Sequence, residues 1–89
     1  MNLANLRNYD RSLRHEVRNP ILALPAIRSL QTMPAETRAA LTALLGDLAQ
    51  DAAAWADHAW RRHKAPMAAY WKAVAAYARH TARAIRGPP

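Results

Sequence analysis

In the last third of the chain, apolar positions recur at steps of three and four: Met67, Tyr70, Trp71, Val74, Tyr77, Ala78, Thr81 and Ile85. At about 100° per residue they share one face of a helix, expected over residues 66–86. Lys72, Arg79, Arg83 and Arg86 gather roughly 150° away as a narrow cationic ridge. A second pattern, Leu41, Leu44, Leu45, Leu48, Ala52, Trp55 and Ala59, predicts a longer helix over residues 34–64. Pro34 opens it and Glu36 suits its first turn. Near the start, Leu3, Leu6, Tyr9, Leu13 and Val17 predict a helix over residues 2–19 with Asn2 as its N-cap. Arg7, Arg11, Arg14 and Arg18 stand opposite that stripe as a second cationic ridge.

Prolines punctuate what lies between. Asn19-Pro20 should end the first helix, because the residue before a proline avoids the α region. Residues 20–33 then form a connector with one short helix near 25–31, whose Ile21, Leu22, Leu24, Ile27 and Leu30 plug the core. Pro66 separates the two long helices by either a kink or a tight turn, and Gly87 with two prolines ends the last one. A turn would fold the two into an antiparallel hairpin. The expectation is a single all-α domain over residues 1–89, a small bundle of three main helices and one short one.

Composition qualifies the core. Of the 89 residues, 52% are hydrophobic, yet 22 are Ala and only 15 are Leu, Ile or Val. That favours close helix packing over bulky layers, and a chain this short buries only about 60–65% of its unfolded surface. Self-association would add burial, so a homo-oligomer, a dimer in the simplest case, is expected as a possible state. The stripe aromatics Tyr70, Trp71 and Tyr77 are assigned to the core, and Trp60, off the stripe of its own helix, to the surface.

Charge is unevenly spread. The net charge is +7, and residues 58–89 hold seven Lys or Arg with no Asp or Glu, whereas residues 35–57 are acidic overall. Two cationic ridges with few compensating acids suit an acidic protein face or nucleic-acid phosphates. Candidate contact residues are Arg11, Arg14, Arg18, Trp60, Arg61, Arg62, Lys64, Lys72, Arg79, Arg83 and Arg86. A helix-turn-helix reader is disfavoured, because its recognition helix would begin at Glu36 and run to Asp47. The apolar faces are needed for the core, which argues against insertion at a membrane surface.

Other chemistry finds little support. With no cysteine there is no disulfide, thiolate site or cysteine nucleophile. His58 and His63 are five apart, about 140° around a helix, rather than on one face as a metal pair requires. No phosphate-binding glycine loop, nucleophile elbow or carboxylate pair is present. Neither an enzyme, a metal, a cofactor nor a small-molecule substrate is expected. No secretory signal is visible, since Arg7, Asp10, Arg11 and Arg14 interrupt the N-terminus, and a cytoplasmic location is expected.

One stretch resembles a known family. His15-Glu16-Val17-Arg18-Asn19-Pro20-Ile21 resembles the H-box of sensor histidine kinases, in which His-Glu, an aliphatic residue, Arg, Asn or Thr, and Pro follow one another. The resemblance implies a phosphoacceptor role for His15, assisted by Glu16. It covers seven residues, no ATP-binding domain accompanies it, and Pro25 interrupts a helix that continues in that family. The favoured reading is a non-enzymatic basic helical binding protein. Its size and charge are those of phage- or plasmid-type regulators that inhibit a host machine, as anti-CRISPR proteins do. A histidine phosphotransfer remnant or a purely structural oligomerisation module is the alternative.

Overall fold

A computed structural model describes residues 19–86. A 3₁₀ turn over Pro20–Ala23 and a short helix α1 (Ile27–Gln31) precede two long helices, α2 (Ala35–Arg61) and α3 (Ala65–Arg86). The all-α class is thus as the periodicity predicts, and the two long helices pack against each other. The expected first helix, with Arg11, Arg14 and Arg18, lies outside the described residues except at its last position. There the expectation needs correcting: Asn19 is extended, with φ −143° and ψ 90°, because Pro20 follows it.

Asn19 also shows why the connector sits where it does. Its side chain accepts the Ile21 N–H and so caps the 3₁₀ turn. Its Nδ2 donates to the His80 carbonyl of α3 at 2.8 Å, and the residue is buried. A second tie comes from Gln31, whose Nε2 donates to the Ala84 carbonyl at 3.0 Å. That carbonyl is among the last four of α3, which have no partner within the helix. Between these two ties, Ile27, Ala84 and Ile85 form a small buried core, with Ile21, Leu22, Leu30, Leu41 and Leu45 against it. The plug expected from the sequence is present, apart from Leu24, which is exposed.

At the far end of the hairpin the chain reverses within three residues. The Lys64 N–H bonds to the Ala59 carbonyl at 2.9 Å and the His63 N–H to the Trp60 carbonyl at 3.0 Å, the two bonds of a Schellman cap. His63 takes the left-handed conformation this cap requires, with φ 60°. The Lys64 carbonyl then accepts the Ala68 N–H to open α3, with Pro66 in the first turn, where a missing N–H costs nothing. The break before Pro66 is therefore a tight turn and not a kink.

The hairpin closes on alanine. Ala49, Ala52, Ala56 and Ala59 of α2 are buried, as are Ala68, Ala75 and Ala82 of α3. Small side chains let the two axes approach closely, and only the strip of each helix facing the other is then covered. The wide leucine and aromatic stripes overhang this seam. Leu44, Leu48 and Trp55 are exposed, against the expectation that they line the core. Tyr70 and Tyr77, assigned to the core from their periodicity, are 57% and 52% exposed, while Trp71 is half-buried.

Candidate functional site: a basic groove beside an exposed indole

Each candidate contact residue on α2 is placed by its rotation from the alanine seam. Trp60 follows Ala59 by one residue and Ala56 by four, so it stands at one edge of the seam; it is 64% exposed. On α3, Lys72 and Arg79 stand three residues before and four after the buried Ala75, which brings them to the same edge from the other helix. A groove of about 550 Å³ results, lined by Ala53, Ala56, Asp57, Trp60, Lys72, Ala75 and Arg79. Alanines form its floor, an indole stands on one wall and two cations on the other.

Among the described residues, Asp57 is the one acid lining this groove. Arg61, one turn further along α2, donates to its carboxylate at 2.5 Å, as the four-residue spacing predicts. Both side chains are largely exposed, so the pair adds at most a few tenths of a kcal/mol to stability. Its electrostatic effect is to offset the one negative charge that, among the described residues, lines the groove with Lys72 and Arg79. Arg83 and Arg86 continue the ridge along α3 and are exposed.

Arg62 and Lys64, grouped with Trp60 from their place in the sequence, lie elsewhere. They line a different hollow, together with Trp55, His58, Ala59, Met67 and Trp71. Arg62 lies two positions beyond Trp60, a rotation of about 200°, which sends it to the opposite side of α2. On that side lies an aromatic cluster that the cationic ridges do not reveal. Trp55 stacks on Trp71 with centroids 6.1 Å apart and meets His58 edge-on at 5.8 Å, and Tyr70 meets Trp71 edge-on at 5.1 Å. The three-residue spacing of Trp55 and His58 was the available signal for part of it.

The remaining chemistry is sparse. No group of three or more His, Asp or Glu side chains among the described residues could hold a metal ion. His15 and Glu16 of the H-box-like stretch lie outside the described residues. Asn19, within that stretch, is extended, whereas the resemblance implies a helix running continuously through it. No helix among the described residues is long and apolar enough to cross a membrane. The fold and groove together define a class, a helical hairpin with one basic, indole-bearing edge. No family model, curated protein or solved structure matches the chain.

Proposed function

We propose that this chain is a non-enzymatic binding protein whose groove around Trp60, Lys72 and Arg79 takes a single-stranded nucleic acid. The observation that carries this reading is the convergence of an exposed indole and two cations, from different helices, on one groove with an apolar floor. Single strands bind to such combinations in general: cations follow the phosphates, and an aromatic plane stacks on a base without selecting its identity. Arg83 and Arg86 extend the phosphate track along α3, and Arg61 offsets the charge of Asp57 in the groove lining. An acidic protein face is the competing ligand for the same cations, but it gives the indole no specific task.

Fluorescence anisotropy of a labelled oligothymidylate, titrated with the full chain at several salt concentrations, tests the proposal. Affinity should fall linearly in log salt, and Arg79→Ala should lower the slope by about 0.7, the single-strand value for one phosphate contact. Trp60→Ala should weaken binding roughly tenfold to a hundredfold, the cost of one lost base stack. Absence of binding at low salt, or affinities untouched by both substitutions, would refute it. Capture of an acidic protein that the same substitutions abolish would assign the groove to that other class.

A further inference from the structure

The opposite side of the hairpin carries a second surface, independent of the groove. Leu44, Leu48 and Trp55 of α2 recur at steps of four and seven and are exposed; Met67 and Tyr70 of α3 are exposed beside Trp71, on which Trp55 stacks. Trp55 lies about 140° around α2 from Trp60, so the two surfaces can be occupied at once. Charge along this surface is ordered. Asp47, Asp51, Trp55, His58 and Arg62 follow at steps of four, four, three and four, hence on one stripe. Asp51, Trp55 and His58 line one hollow, and Trp55, His58, Arg62 and Lys64 the next. Acids stand at one end, cations at the other, and an indole at the centre.

We infer that this face binds a second copy of the chain, antiparallel, about a two-fold axis passing near Trp55. Such an axis sets a residue a given distance before Trp55 beside one the same distance after it in the partner. At about 1.5 Å per residue, Asp47 and Arg62 lie roughly 12 and 10 Å from the centre, and Asp51 and His58 roughly 6 and 4 Å. Asp47 therefore meets the partner's Arg62, and Asp51 the partner's His58, each twice in the assembly. Two helices of 27 and 22 residues side by side offer a face of about 800 Å², the area each partner of a stable complex ordinarily buries. The chain's own first 18 residues fit this surface less well. They carry four Arg against Asp10 and Glu16, so they match Asp47 and Asp51 but bring like charge to Arg62 and Lys64, whereas a second copy offers opposite charge at both ends. The resulting assembly holds the two Trp60 grooves on its outer sides.

Sedimentation velocity on the full chain, from low to high micromolar concentration, should show a species of twice the chain mass. Trp55→Glu should give a monomer with undiminished helical circular dichroism, since the side chain is 56% exposed in the single chain. Asp47→Arg alone and Arg62→Asp alone should each weaken the dimer about tenfold by setting like charges together at both symmetric contacts, and the double variant should restore it. A chain that stays monomeric at every concentration overturns the inference, the face then being covered by residues 1–18 or by another protein. A dimer indifferent to Trp55→Glu, or a double charge reversal that restores nothing, overturns it equally.

Discussion

Replacing His63 by glycine should stabilise this protein, although the substitution deletes a whole side chain. His63 closes the Schellman cap between α2 and α3 at φ 60°. For an L-residue with a Cβ the left-handed region costs about 1–2 kcal/mol, a cost glycine does not bear. Against this, glycine loosens the unfolded chain and loses about 0.4–1 kcal/mol. The imidazole itself is exposed and makes no hydrogen bond or ring contact among the described residues, so its removal forfeits little. The balance is a gain of about 0.5–1 kcal/mol, or roughly 2–8 °C in Tm for a chain of this size. Thermal melts followed by circular dichroism at 222 nm measure it, with His63→Val as the opposing control, because a β-branched residue suits this conformation least. If His63→Gly lowers Tm, or if the valine variant melts no lower than the wild type, the cap is not set by this backbone conformation and the reasoning fails.

Other substitutions probe the remaining supports of the fold. Gly46 lies inside α2 with no described atom within 4 Å of where a Cβ would stand, so Gly46→Ala should raise stability by up to about 1 kcal/mol in chemical denaturation. Ile85 is 1% exposed at the centre of the connector core. Ile85→Ala should cost about 2–5 kcal/mol, and hydrogen exchange should show α1 losing protection before the hairpin does. The Thr42 hydroxyl is buried without a hydrogen-bond partner among the described residues, so Thr42→Val, which keeps the shape, should hold or raise Tm; a clear fall would mean that the hydroxyl is bonded in solution.

The backbone plan was legible in the sequence wherever a residue forbids something. Asn19, before Pro20, is extended, Pro34 precedes the first residue of α2, and Pro66 sits in the first turn of α3. Proline's effect is local, so no partner has to be known for its position to be read. The turn before Pro66 was harder, because its left-handed residue is His63, where a glycine would have announced it. Burial was misread for a different reason. A stripe of leucines and aromatics shows which face of a helix is apolar, but not which part of that face its neighbour covers. The neighbour here is an alanine seam, and it covers only one edge of each stripe. The ridge Lys72–Arg79 and the exposed position of Trp60 were both legible on their own helices. Their convergence on one groove depends on the register of α2 against α3, which the turn at Arg62–Lys64 sets and no local pattern encodes.

That alanine seam has a consequence for function. A hairpin closed by larger side chains would bury them between its helices and leave two mostly polar outer faces. Closed on alanine, it directs the large side chains outward, and the rotation of each residue from the seam decides where they go. Residues at one edge, Trp60, Lys72 and Arg79, form a groove of about 550 Å³ with cations on one wall. Those at the other edge, Trp55, Met67 and Trp71, form an apolar strip that ends in Arg62 and Lys64. Contiguous exposed apolar patches usually mark an interaction site. The two edges differ chemically in what they can recognise. One offers isolated cations around an indole, suited to a phosphate-bearing strand; the other offers a broad apolar strip with charges of both signs in mirrored order, suited to a copy of itself. A thin core and two chemically distinct exposed edges thus follow from the same choice of alanine at the helix contact.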